Sequence, residues 1–428
     1  LDLAIGLGGD TPERHIRAAG HHLHAANFNE AATRLNQIID TLPPGRSRAE
    51  ALTLLAKVRT AEENLAEVMA VLMRALADST DDPGRRAHAL ILLSHAQLNA
   101  AQFDESARSI DEAVTLATEL DRTDLLSAAL ALRAMQNFAS GHGFDDETMA
   151  HALALEDGAS DIPLVLRAPV NNALLLAWTG QLQRGHDAMM AVRRQSMDRG
   201  EEHELAILDF HCFLMALWRG DLADAGLLAE DALERANALG DPEPVCIGLT
   251  TRATLAAYAG HEQRARDDVA EALVQLQLLG TPPMTRYPLA MLAFLEVSLG
   301  NHAAALSALE PALALIDSTP MALEIMIGLF VPDAAEAMVA VGRLDDAERL
   351  IERFLDDGRR LDRAWILACG GRCRAMLLAA RGDVDAAANA AQQAMVEHQR
   401  LPMPFERART QLLVGQLERR QRHKQAAS

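Results

Sequence analysis

Residues 380–397 read ARGDVDAAANAAQQAMVE, and this stretch decides the fold. Gly382 marks a turn and Val384 follows it; Ala387, Ala391 and Ala394 then recur at i, i+4 and i+7, one face of a helix. Small residues on that face let one helix lie close against another. The glycine permits the left-handed residue that ends the helix before it. A helix, a turn and a second helix are thus written into one short frame.

Working outward, the same frame fits Gly342, Leu344, Ala347, Ile351 and Phe354, then Gly300, Ala305, Leu309 and Ala312. It continues through Gly260, Ala265, Val269 and Ala272, through Gly220, Leu222, Ala225, Ala229 and Ala232, and through Gly180, Leu182, Gly185, Met189 and Val192. Nearer the amino end Ala101, Glu63 and Ala26 stand in place of the glycine. The post-turn positions are Phe28, Leu65, Phe103, Phe144, Leu182, Leu222, Glu262, His302, Leu344, Val384 and Lys424, a period of about 40 residues. One hairpin cannot bury both of its faces, so successive hairpins must stack. The spacing therefore predicts an all-α chain, a right-handed superhelix (α-solenoid) of about ten to eleven helix hairpins. It reads as one solenoid over residues 1–428, with a possible division into halves 1–160 and 161–428. Pro282, Pro283 and Pro320 fall between helix pairs, whereas Pro311 and Pro332 fall inside expected helices and predict kinks.

Composition agrees. Half of the chain is apolar but only 4% is aromatic, as expected where Ala and Leu dominate helix packing. A formal net charge of −20 repels phosphate backbones and anionic lipid, so neither nucleic acid nor a membrane surface is an expected partner. Four cysteines are too few for a disulfide framework in 428 residues, which suits a reducing compartment, and cytoplasm is the expectation. Catalytic or metal chemistry finds little support. The acidic pairs Asp145/Asp146 and Asp345/Asp346 sit where second helices begin and read as caps. Cys369 and Cys373, one helical turn apart, read as small buried hydrophobes, and His21, His22 and His24 lack further ligands at metal-site spacing. No enzyme activity and no metal are expected.

The frame of Gly, an aromatic or Leu, Ala, an apolar residue and Ala resembles the second half of a tetratricopeptide repeat, stretched from roughly 34 residues to about 40. The run FERARTQLLVGQLERRQRHKQAA, residues 405–427, is similar to the last repeat before the DNA-binding domain of large bacterial LuxR-type regulators. HHLHAANFNEAATRLNQIIDTLPPG, residues 21–45, is similar to the start of their helical sensor region. That family includes the maltose regulon activator and joins an ATPase module, a central superhelix and a helix-turn-helix. The resemblance implies the central, sensing module. Neither Lys57 nor Lys424 lies in a phosphate-binding Gly-rich loop, so no cofactor is expected in this segment, ATP belonging to a separate amino-terminal domain.

The resemblance also implies that the inner face includes the residue two before each turn glycine. In three successive repeats that residue is Trp178, Trp218 and Tyr258. Amphipathic rings in a row offer an apolar ligand or peptide a large contact area with a polar edge. The alternative is that they pack between repeats as core. Helical arithmetic adds Arg167, Phe210, Leu214, Thr250 and Thr254 to the same groove. The expected function is a signal-sensing domain of a LuxR-type regulator, holding a small-molecule inducer or a protein or peptide partner on its concave face. The alternative is a protein-interaction scaffold with no small-molecule ligand. Unpartnered stack ends make a homodimer possible.

Overall fold

The structure is a computed structural model and describes residues 11–24, 27–61, 65–100, 102–156, 158, 162–200, 202–240, 242–279, 286–316 and 325–427. Ala26, Glu63 and Ala101, the turn positions without glycine, and Pro282, Pro283 and Pro320 lie outside them. Among the described residues every regular element is helical.

The chain divides into two compact units, Leu1–Asn172 and Ala173–Ser428. The first carries the hairpins α1 (Pro12–His24) with α2 (Phe28–Ile39), α3 (Arg46–Ala61) with α4 (Leu65–Ala77), α5 (Pro83–Asn99) with α6 (Phe103–Glu119), and α7 (Thr123–Ala139) with α8 (Asp146–Ala154). A single 3-10 turn, Leu164–Leu166, precedes α9 (Ala168–Trp178), within which the division falls. The second unit continues with α10 (Leu182–Arg199), α11 (Glu202–Trp218), α12 (Leu222–Leu239), α13 (Pro242–Tyr258), α14 (Glu262–Leu279), α15 (Arg286–Ser298) and α16 (His302–Leu315). After one helical turn, Ile325–Gly328, come α17 (Val331–Ala340), α18 (Leu344–Leu361), α19 (Ala364–Ala380), α20 (Val384–Glu397) and α21 (Pro404–Ala427).

The turns follow the expected chemistry. Gly180, Gly220, Gly260, Gly300, Gly342 and Gly382 all have φ between 75 and 90°. In each case the next residue's N–H returns to a carbonyl five residues back: Gln181 to Leu176, Asp221 to Ala216, His261 to Ala256, Asn301 to Glu296, Arg343 to Met338 and Asp383 to Leu378, at 2.8–3.0 Å. This is the paired closure of a helix end that a left-handed residue makes possible. The small face that follows is buried as the spacing requires, with Ala225, Ala265, Ala305, Ala347 and Ala387 at 0–2% exposure. Odd-numbered helices pack on the next odd-numbered helix, α11 on α13, α13 on α15, α15 on α17, α17 on α19 and α19 on α21, so first helices form one continuous layer of the second unit.

Arginine ties neighbouring helices across this layer. Asp209 on α11, buried, takes Arg193 from α10 at 2.5 Å and Arg235 from α12. Arg252 on α13 grips Asp268 on α14 with two bonds of 2.8 and 2.6 Å, and Arg266 on α14 reaches Glu296 on α15. Buried carboxylates are tolerated because each meets a guanidinium.

Three expectations need correction. Pro332 does not interrupt a helix: it lies in the first turn of α17, where a missing N–H costs nothing. Pro311 does lie inside α16. Lys424 does not follow a turn, because α21 runs unbroken from Pro404 to Ala427; no glycine or small-residue turn stops it. The copy placed at Phe144 begins at Asp146, with Asp145 capping the helix by accepting from the Thr148 N–H at 2.9 Å.

Gly185 occupies the position that the other repeats of the second unit give to Ala, and a Cβ there would sit 2.8 Å from the Ala173 carbonyl oxygen and 2.9 Å from the Ala177 nitrogen. Backbone atoms cannot swing aside. Gly185→Ala should destabilise the second unit by about 1–3 kcal/mol and so lower its urea midpoint; an unchanged midpoint would show that α9 and α10 do not approach this closely.

Candidate functional site: a cavity ringed by first helices

Six first helices of the second unit each place side chains around one cavity. α11 contributes Leu214, Leu217 and Trp218, and α13 contributes Thr254 and Tyr258. α15 adds Ala290, Met291 and Phe294, α17 adds Pro332 and Asp333, α19 adds Trp365, and α21 adds Glu406 and Arg409. The cavity has about 500 Å³ of empty space including the part open to solvent. Little of that is enclosed: about two or three water molecules would fill it.

One wall of this space is the chain's own carboxyl-terminal segment. The segment from His398 to Arg409 returns across the first-helix layer. Gly180, after α9, lies so near that a Cβ there would be 2.9 Å from the Arg400 carbonyl oxygen, and one on Gly220, after α11, would be 2.7 Å from Pro404 Cγ. Phe405 then meets Tyr258 at 4.6 Å and Phe294 at 5.9 Å between ring centroids, while Tyr258 and Phe294 stack at 4.6 Å. One helical turn on, Arg409 donates to Asp333 at 2.7 Å and Glu336 at 2.8 Å. Glu406 accepts from Arg372 on α19 at 2.5 Å, and Cys369 Sγ lies 3.5 Å from the same carboxylate. The proline-opened first turn of α21 thus inserts a ring and a charge pair among α13, α15, α17 and α19.

Burial and charge set the protonation states here. Burial raises the Asp333 carboxyl above the ordinary aspartate range, with Arg409 opposing. Burial also penalises the charged form of Glu406, but Arg372 and Arg409 outweigh it and hold that carboxyl down at about 2. Burial pushes the Tyr258 phenol and the Cys369 thiol upward, and Cys373 to about 12, so both thiols stay protonated and unreactive. Among the described residues no group of His, Cys, Asp and Glu has metal-binding geometry.

Of the groove residues expected from sequence, Leu214, Trp218, Thr254 and Tyr258 come together here. Phe210, two turns above Trp218, instead packs edge-on against Tyr287 at 5.4 Å. Thr250 is buried and bonded to the Cys246 carbonyl at 2.8 Å, inside α13. Trp178 ends α9, half-buried, and does not line the cavity. Arg167 belongs to the first unit, where its Nε donates to the Ile162 carbonyl at 2.9 Å. Phe294, Asp333, Trp365, Glu406 and Arg409 were missed. Phe294 could have been found, since it lies one turn before Ser298, the residue two before Gly300.

No family model matches the chain, and no curated protein matches it. Among solved structures, a Rap protein complexed with competence and sporulation factor is similar over 82% of this chain and 98% of its own, with 11% identity and a TM-score of 0.58. The fold is a tetratricopeptide-like solenoid. Yeast Tom70 (14% identity, 98% of this chain and 91% of its own, TM-score 0.42) also matches. So does a signal-transduction ATPase with a tetratricopeptide repeat sensor from Pyrococcus horikoshii (14% identity, 91% of this chain and 55% of its own, TM-score 0.41). Among the described residues no helix is long and apolar enough to cross a membrane.

His398, buried beside this segment, shares a 2.8 Å hydrogen bond with Thr410, and burial with nearby Arg372 lowers its pKa to about 4. An unfolded chain takes up that proton near pH 6.5, the folded chain only near 4, so falling pH favours unfolding across this window. The urea midpoint should therefore fall from pH 6.5 to 4 less steeply in His398→Gln than in wild type. Identical slopes would contradict a buried neutral imidazole.

Proposed function

We propose that this chain is the partner-sensing region of a LuxR-type transcription regulator, receiving a protein or peptide segment on its first-helix layer and passing the change to domains elsewhere in the protein. It acts by binding and performs no covalent chemistry. ATP and DNA belong to other domains.

One observation carries the reading: five successive first helices, α11 to α19, line one cavity, and a polypeptide segment, the first turn of α21, packs against it through Phe405 and Arg409. A surface that already accommodates an aromatic residue and an adjacent ion pair is chemically suited to peptides. The enclosed room is too small for a sizeable free metabolite beside that segment, which favours a chain partner over a small-molecule inducer. The similar Rap structure is of a complex with competence and sporulation factor, which fits a receiving role. The architecture supports regulation by curvature: each repeat touches its neighbours, so an occupant spanning several repeats would bias their relative angles. The resemblance of residues 405–427 to the repeat before a DNA-binding domain is what supports a transcriptional output.

The test is made in cells. Tyr258→Ala, checked for normal abundance, should shift a limited set of transcripts, the same set that shifts when the coding region is deleted. An unchanged transcript profile in both strains would overturn the regulatory reading and leave an interaction scaffold.

A further inference from the structure

Two features of the contact between the returning segment and this face indicate an occupant, although Leu401 and Met403 within the segment are buried. Phe405 is still 37% exposed although it touches two rings. Arg372 is 2% exposed, yet its Nε and Nη2 have no hydrogen-bond partner among the described residues while Nη1 holds Glu406. A buried guanidinium with unmatched donors is costly, so the segment satisfies this surface incompletely.

The surface has a legible specificity. The stacked rings of Tyr258 and Phe294 take an aromatic side chain. Arg372 takes a carboxylate on the next residue, and Asp333 with Glu336 takes a guanidinium one helical turn later. A proline at the first helical position sets the entry, as Pro404 does against Gly220.

We propose that the α13–α19 face is a docking surface for a partner peptide that starts a helix with Pro–aromatic–Glu and carries Arg three residues after the Glu, and that Leu401–Arg409 occupies it in cis until such a partner displaces it. The inference rests on the partner-sensing reading and names the partner's chemistry. Charge complementarity argues for it, since the face offers two carboxylates to one arginine and one arginine to one carboxylate. Displacing the segment would leave α21 held by its later turns, through Leu417 against Ala375, Ala387 and Ala391, and so would couple binding to the seating of α21 on α19 and α20.

The probe is a synthetic, fluorescein-labelled peptide of residues 399–411, QRLPMPFERARTQ, titrated onto the whole chain by fluorescence anisotropy. Phe405→Ala in the protein, with its fold checked by circular dichroism, should bind the peptide at least about tenfold tighter than wild type, because the cis competitor is weakened. The same peptide carrying Ala at the Phe405 position should lose that binding. Equal affinities, or no binding to the folded variant, would overturn the proposal. Hydrogen exchange on wild type is the second arm: residues 401–412 should open with clearly less protection than α19, and equal protection would make the segment permanent core and refute displacement. A wild-type dimer in concentration-dependent sedimentation that Phe405→Ala abolishes would assign the surface to a second copy and overturn the peptide partner. Failure of the peptide arm combined with a transcript response to Tyr258→Ala would sink this inference while leaving the sensing role intact.

Discussion

The close approach of the two helices within each hairpin is the constraint from which the rest follows. In the second unit it goes with a left-handed glycine at the turn and a small residue three positions after the second helix starts. Gly220 and Ala225 show both in one repeat, and Gly185 shows the extreme case, where even a methyl group meets backbone. Once second helices sit this close, first helices have only one another to pack against, and the layer from α11 to α21 results.

That layer determines what can be assembled on it. Equivalent positions on neighbouring first helices come side by side, so one side chain per repeat suffices to build a site that no single repeat contains. Leu214 and Trp218, Thr254 and Tyr258, and Phe294 form its apolar part in this way. The polar part depends on long-range return. Arg409 meets Asp333, and Glu406 meets Arg372, only because the first turn of α21 comes back across helices far earlier in the chain. Neither pair is stable alone once buried: removing one member would leave its partner charged and desolvated, a loss of roughly 3–5 kcal/mol.

This division explains what the sequence made legible. The period, the turn glycines and the starts of second helices such as Leu182, Leu222 and Val384 are local patterns, and they read correctly. Trp218 and Tyr258 stand at one cavity because both lie two residues before a turn glycine on helices that the period makes neighbours, and both are packed as core there. Pro332 misled because a proline looks interior until the helix start is known. Lys424 misled because the period was carried past the last turn into a helix with nothing to end it. The contact of Phe405 with Tyr258 was not readable, since it depends on how far the stack curves, a property of many hairpins together.

The account therefore turns on where Phe405 sits. Replacing it with the photoreactive benzoyl derivative of phenylalanine, irradiating the monomer and mapping the linked peptides by mass spectrometry measures that directly. The structure predicts cross-links to the segments holding Tyr258 and Phe294. Cross-links confined to α20 and its turn, with none to α13 or α15, would contradict a first-helix face covered by the chain's own α21.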